Sequence, residues 1–250
     1  ATALKAVNNT APAAAATVAP AAAQAVASAA KAPKTDRKVI DGMPVYGEYK
    51  DIAHCTDKIK PISNLPIYRG WDFGLTPACV FAQMSSRGQL IVFDELVSES
   101  MGIETFSEEV LTHCSANYAD YEFIDIGDPA GEQRAQTDEK TCFQILESKG
   151  IRIMPSIQNV VARLESVRYF LGRLIEATPA FAIHPDCKTL RKGFQGGYSY
   201  RRIQVSGEKF TDKPDKNIFS HCLVAGTMIA TPHGDKAIET IKAGDLVNTP

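Results

Sequence analysis

The sequence predicts a mixed α/β fold in which one sheet carries helices on its faces. Three apolar segments suited to strands come first, at residues 66–72, 78–83 and 89–93, and the turn residues 85–88 separate the last two. Three successive strands with short connections indicate an antiparallel meander. Helical and extended patterns alternate after it, so we expect the meander to continue into a layered α/β sheet.

The later elements are predicted from periodicity. Helices are expected at residues 107–118, 140–148 and 158–177, and strands at residues 123–126 and 151–154. The longest helix has an apolar stripe at helical spacing, formed by Val160, Leu164, Val167, Leu171, Leu174 and Ile175. This stripe predicts packing on the core, with Ser156 or Asn159 as the N-cap. The glycine-rich residues 194–200 predict a turn and a hairpin.

The first 66 residues are expected to lie outside the main domain. Residues 1–38 are dominated by alanine and interrupted by prolines, and they have almost no large apolar side chains. Such a segment cannot bury enough surface to offset its ordering entropy, so it is predicted to be a disordered tether. Residues 39–66 are mixed and turn-rich, which indicates an approach segment rather than part of the core.

Charge and cysteine content narrow the classes of function. The net charge of the 250 residues is −2, so no global basic field indicates nucleic-acid binding. Residues 187–219 nevertheless carry eight basic against three acidic side chains, which suits either phosphate contact or an ordinary solvated face. The candidate DNA-binding residues are Arg191, Lys192, Arg201, Arg202, Lys209 and Lys216. The six cysteines include no C-x-x-C pair, which favours a cytosolic protein.

Two aspartates stand at predicted strand ends. Asp72 ends the first strand of the meander, and Asp128 follows strand 123–126 and precedes Pro129-Ala130-Gly131. Carboxylates at the ends of neighbouring strands can hold two Mg²⁺ ions about 4 Å apart, one activating water and one stabilising the leaving oxygen. The alternative is that each aspartate only stabilises a turn. Asp94, Glu95 and Asp125 are weaker candidates, for outer-shell roles.

Several motifs in one order resemble the nuclease domain of tailed-phage terminase large subunits. Residues 67–78 (IYRGWDFGLTPA) look like its first acidic motif, and residues 127–131 (GDPAG) look like its second. Residues 194–200 and 216–221 (KNIFSH) resemble the approach to its third. The resemblance extends over roughly residues 43–221.

This resemblance implies a ribonuclease-H-like fold and metal-dependent cutting of concatemeric viral DNA during packaging. It implies Asp72 and Asp128 as ligands of Mg²⁺ or Mn²⁺, double-stranded DNA as substrate, and a small terminase subunit and portal as partners. A location in the host cell cytoplasm follows from it too. No apolar run approaches the ~20 residues that a membrane-spanning helix needs.

Two departures from that family are visible. The chain has no G-x-x-x-x-G-K-[ST] phosphate loop, so no packaging motor is expected from these residues. In the family, Ser-His is followed within a few residues by an Asp-Ala pair that supplies the third acid, but here Cys222-Leu-Val-Ala follows His221. Asp212 or Asp215 could substitute, although both lie in a Lys- and Pro-rich segment that is expected to be exposed.

From Cys222 onward the chain resembles the first motif block of inteins and related Hint domains. A nucleophile opens the block, a Thr/Ile strand follows, and Ile241-Lys-Ala-Gly-Asp-Leu-Val247 ends it. The Cys222 thiol could attack the carbonyl of His221 and form a thioester in place of the peptide bond, which frees the Cys222 amino group. Residues 67–221 are therefore interpreted as the nuclease domain and residues 222–250 as a short β-rich intein fragment.

The fragment lacks the activating Thr-x-x-His and the terminal His-Asn of such elements, so we do not expect residues 222–250 to complete splicing. His221 is either the last residue before the intein or an outer-shell residue of the metal site.

Other interpretations of the chain's function stay open at this point. The chain could be another ribonuclease-H-like DNA enzyme such as a transposase or resolvase, an inactive DNA-binding or assembly module, or a passenger of the splicing element.

Overall fold

The computed structural model describes residues 42–74, 76–133, 140–156, 158–203, 209–220, 228–231 and 234–237. The strands are β1 (Gly42–Pro44), β2 (Ile67–Asp72), β3 (Ala78–Met84), β4 (Leu90–Val97), β5 (Phe123–Gly127), β6 (Ile153–Pro155), β7 (Leu174–Ile175), β8 (Thr178–Pro179), β9 (Phe181–Ile183), β10 (Ser199–Ile203), β11 (Lys209–Phe210), β12 (Met228–Thr231) and β13 (Gly234–Ala237). The α-helices are α1 (Asp51–His54), α2 (Ile103–Asn117), α3 (Cys142–Ser148), α4 (Val160–Leu171) and α5 (Lys188–Lys192).

A six-stranded mixed sheet forms the centre, in the order β6-β5-β2-β3-β4-β9. Strands β2, β3 and β4 pair antiparallel, which confirms the predicted meander. Strand β5 pairs parallel with β2, β6 pairs parallel with β5, and β9 pairs parallel with β4. The carboxyl ends of β2, β5 and β6 therefore meet at one edge of the sheet.

Both faces of this sheet are buried, and strand alternation divides its side chains between two cores. In β3, Ala78 and Val80 belong to the core under α4, whereas Cys79 and Phe81 belong to the core under α2 and α3. Burial on both faces explains why β3 and β4 are nearly continuous apolar runs rather than alternating patterns. The predicted mixed α/β sheet with flanking helices is confirmed.

The predicted helix over residues 158–177 is too long. Helix α4 ends at Leu171 with Gly172 as its C-cap, and Asn159 is the N-cap, its side chain accepting a hydrogen bond from Ala162 N. Strands β7 and β8 then form a small hairpin. Its turn residues Glu176 and Ala177 have φ of 47° and 64°, which no helix tolerates.

The apolar stripe of the prediction is therefore divided. Leu164 and Leu171 are buried in the core, while Leu174 lies beyond the helix and is 66% exposed. The predicted helix is too long because the apolar residues of the β7–β8 hairpin continue the helical spacing.

The prediction that residues 39–66 stay outside the core is wrong for the described part of that segment. Val45 and Tyr46 are buried, and β1 pairs antiparallel with β10. Buried His54 lies 3.2 Å through its Nε2 from the carbonyl oxygen of Leu171, at the end of α4. This segment therefore covers the face of the sheet that also carries α4.

The predicted turn is present in the glycine-rich residues, and β10, the strand after it, pairs antiparallel with β11. Gly193–Gly197 forms a π-helical turn, and β10 follows and pairs with both β1 and β11.

Toward the carboxyl end, β12 and β13 form an antiparallel hairpin. Residues 1–41, His221 and Cys222 lie outside the described residues, and so do the predictions made for them. No helix among the described residues is long and apolar enough to cross a membrane.

Candidate active site

The structure brings Asp72 and Asp128 to the same edge of the sheet. Asp72 is the last residue of β2, and Asp128 follows β5 directly. The two strands are parallel neighbours in which Trp71 pairs with Gly127, and Asp128 N donates a hydrogen bond to Trp71 O at 3.0 Å. Both aspartates therefore lie one residue beyond the same cross-strand pair.

Two glycines permit this arrangement. A Cβ on Gly131 would lie 2.5 Å from the Phe73 ring, and one on Gly127 would lie 3.0 Å from it. The Phe73 ring also packs against Phe143, with 5.6 Å between ring centroids. The residue after Asp72 therefore packs onto the two glycines that flank Asp128. This contact gives a physical reason for Asp-Phe-Gly and Gly-Asp-Pro-Ala-Gly to occur in one chain.

Both carboxylate oxygens of Asp128 accept hydrogen bonds. Oδ1 accepts from Ala130 N at 2.9 Å, which caps a short 3-10 turn over Pro129–Glu132. Oδ2 accepts from Arg163 Nη1 at 2.8 Å. Burial by itself would raise the pKa of Asp128, but the Ala130 N–H, Arg163 and the charge of Lys216 outweigh burial and lower it. Asp128 is therefore ionised at neutral pH.

Arg163 is a site residue that the sequence did not single out. It is one of three arginines on the polar side of the predicted helix over residues 158–177, with Arg168 and Arg173, and Arg173 lies beyond the end of α4. Arg168 pairs with Glu165 and Arg173 contacts Tyr169, whereas Arg163 reaches Asp128, 35 residues earlier in the chain. No local signal distinguishes the three, because the distinction depends on how α4 crosses the sheet.

The pair Asp72 and Asp128 suits a divalent metal ion in the type of its donors, since Mg²⁺ and Mn²⁺ prefer carboxylate oxygens. Within the described ranges, no group of three or more His, Cys, Asp or Glu side chains is arranged to hold a metal ion. Of the substitutes considered from sequence, Asp215 accepts from Arg201 Nε at 3.0 Å, and Asp212 is exposed.

Asp125 does not join this pair. Asp125 lies opposite Arg69 in the register of β5 and β2. Arg69 is three residues before Asp72, so Asp125 lies about 10 Å along the strand from the level of Asp72. Arg69 Nε and Nη2 each donate to one of its oxygens at 2.7 Å, and Trp71 Nε1 donates at 2.6 Å. Asp125 is thus the centre of a buried structural ion pair.

The structure places Asp94 and Glu95 in other contacts. Asp94 Oδ2 lies 2.6 Å from His113 Nε2 and accepts from Tyr118 Oη at 2.7 Å. The Glu95 carboxylate accepts from the backbone N–H groups of Thr189 and Leu190 at the start of α5. Burial raises the pKa of Glu95 despite these two hydrogen bonds. The outer-shell roles of Asp94 and Glu95 stay predictions.

The basic candidates differ in their surroundings. Arg191 forms a two-pronged ion pair with Asp51, at 2.8 and 3.2 Å, and Arg201 pairs with Asp215. The remaining four candidates are exposed: Lys192, Arg202, Lys209 and Lys216. The charge of Lys216 contributes to the lowered pKa of Asp128. Lys216 is therefore close enough for its charge to act on Asp128.

Comparison with known proteins gives a fold and no sequence family. No family model matches the chain, and no curated protein matches it. One crystal form of the large terminase from a thermophilic bacteriophage matches with a TM-score of 0.55 and 17% identity, covering 74% of this chain and 44% of that one. A second crystal form of the same phage protein matches with a TM-score of 0.56 and 15% identity, covering 74% and 43%.

The chain thus spans less than half of the length of the large-terminase structures that it matches. At this identity the likeness establishes the fold. The meander, the parallel strands β5 and β6 and the flanking helices form a ribonuclease-H-like α/β sheet, which is similar to part of a phage large terminase.

Proposed function

We propose that the chain carries the nuclease domain of a phage DNA-packaging terminase, which cuts concatemeric viral DNA. The observation that carries this proposal is the meeting of Asp72 and Asp128 beyond the same pair of parallel strands. The fold likeness to a large terminase supports it. A small terminase subunit and a portal as partners, and action in the host cell cytoplasm, belong to the same proposal.

Asp72 and Asp128 would hold Mg²⁺ or Mn²⁺. In a two-metal site, the ions supply an activated water and stabilise the leaving oxygen of the phosphodiester. The chain orients the Asp128 carboxylate through the Ala130 N–H. The exposed side chains of Lys216, Arg202 and Lys209 would meet the DNA backbone phosphates.

We further propose that an intein begins at Cys222 and interrupts the nuclease before its third acid. The residue pattern from Cys222 to Val247 supports this proposal, as does the occurrence of two acids without a third ligand among the described residues. His221 would then be the last residue of the nuclease before splicing. The third acid would be joined to it when splicing removes the interruption.

The coding DNA downstream of Pro250 tests the interruption. We expect a Thr-x-x-His motif, then a terminal His-Asn followed within a few residues by Asp-Ala. A stop codon near Pro250, with no separate gene for a partner fragment, would contradict it.

Plasmid nicking tests the nuclease. With two of three carboxylates, this chain should nick supercoiled plasmid in Mn²⁺ far more slowly than the spliced protein, and Asp72→Asn should abolish the residual activity in both. Equal rates for the chain and the spliced protein would contradict the proposed impairment. Activity that survives Asp72→Asn in both would contradict the proposed site.

A second candidate function is DNA binding without cleavage. Two observations favour this alternative. Arg163 forms an ion pair with Asp128, and the described part of the site has only two acids. Steeply salt-dependent DNA binding by the spliced protein, without metal-dependent nicking, would establish it in place of the nuclease.

A further inference from the structure

We propose that Arg163 is an internal cation that competes with a divalent metal ion for Asp128. The inference deepens the proposed function and rests on it. Arg163 Nη1 donates to Asp128 Oδ2 at 2.8 Å, and the two side chains are 20% and 24% exposed. A positive charge thus already occupies one side of the carboxylate that the proposed site would offer to a metal.

The ion pair is not needed to orient Asp128. Its Oδ1 is held by the Ala130 N–H, and its backbone N–H is held by Trp71 O. The backbone thus positions the carboxylate before Arg163 contributes anything. What Arg163 adds is charge, which neutralises Asp128 when no metal is bound.

The same charge opposes a metal ion. A divalent cation bound to Asp128 would lie beside the Arg163 guanidinium. Two positive charges that contact the same carboxylate repel each other even through water. Arg163 also cannot withdraw by losing its proton, because a guanidinium stays charged at every physiological pH. Metal binding therefore requires the Arg163 side chain to turn away from Asp128, and this requirement weakens the affinity.

The test is Mn²⁺ binding to the full chain, followed by the loss of the free-ion electron paramagnetic resonance signal. Arg163→Gln removes the charge and keeps a polar side chain, and we expect it to bind Mn²⁺ more tightly by a factor on the order of ten. Arg163→Lys keeps the charge and should stay within about twofold of the parent chain. Arg173→Gln removes the same charge further along the chain, where Arg173 contacts Tyr169, and should change nothing.

Equal or weaker Mn²⁺ binding by Arg163→Gln, in a variant with the parent circular dichroism spectrum, would overturn the proposal. So would an equal gain in Arg173→Gln, because the effect would then be one of net charge. Failure of the proposed function looks different. If Asp72→Asn and Asp128→Asn leave Mn²⁺ binding unchanged, then the metal site itself is wrong.

Discussion

Two aspartates three residues apart, Asp125 on β5 and Asp128 directly after it, each form an ion pair with an arginine. The two ion pairs differ in burial and in the number of carboxylate oxygens that the arginine contacts. Arg69 and Asp125 are 4% and 5% exposed, and the guanidinium takes both carboxylate oxygens. Arg163 takes one oxygen of Asp128, and that pair is 20% and 24% exposed at the edge of the sheet. The first pair is enclosed by the fold, whereas the second stays partly accessible to water.

Removing Arg69 should have the largest effect. Arg69→Met leaves the Asp125 carboxylate buried without its guanidinium partner, so we expect a loss of about 3–5 kcal/mol in the free energy of unfolding. The matched change Arg163→Met leaves an aspartate that water can reach, and should cost below about 1 kcal/mol. Urea unfolding followed by circular dichroism measures both. Similar losses in the two variants would refute the distinction between the pairs.

Adding one methyl group beside Asp128 should have the next largest effect. The new Cβ in Gly131→Ala would collide with the Phe73 ring, at a cost of about 1–3 kcal/mol in stability. The control is Gly47→Ala, where the added Cβ would meet nothing within 4 Å. The same urea experiment measures the stability of both variants. If Gly131→Ala were as stable as Gly47→Ala, then the packing of Phe73 would not hold the two loops together.

The pH dependence of the Asp128 pair should be the smallest effect. Folding lowers the pKa of Asp128, so its contribution is present above the unfolded pKa of about 3.9 and is lost as the pH falls through the lower folded value. Asp128→Asn should therefore destabilise the chain by below about 1 kcal/mol near pH 7. The difference from the parent chain should shrink in acid.

Urea midpoints near neutral pH and in acid check this prediction, with the exposed Asp212→Asn as the control that should show no such trend. A difference that grew as the pH fell would mean that folding raises the pKa of Asp128.

Much of the sheet could be predicted from the sequence because its signals are local. The apolar runs of β2, β3 and β4, separated by short turns, specify a meander whatever surrounds them. The packing of the Phe73 ring on Gly127 and Gly131, in contrast, was not predicted from the sequence. The end of α4 was predicted wrongly because the apolar spacing continued through Leu174, and the turn at Glu176 and Ala177 left no residue-level signal strong enough to outweigh it.

The sequence by itself determined the mixed sheet, the order of its first strands and the two aspartates at strand ends. Those features follow from periodicity and turn chemistry within a few residues. Only the tertiary structure decided that Val45 and Tyr46 are core, that Asp125 belongs to Arg69, and that Arg163 reaches Asp128. Each of those contacts joins residues far apart in the chain, and their meeting depends on how the layers pack, which no local pattern encodes.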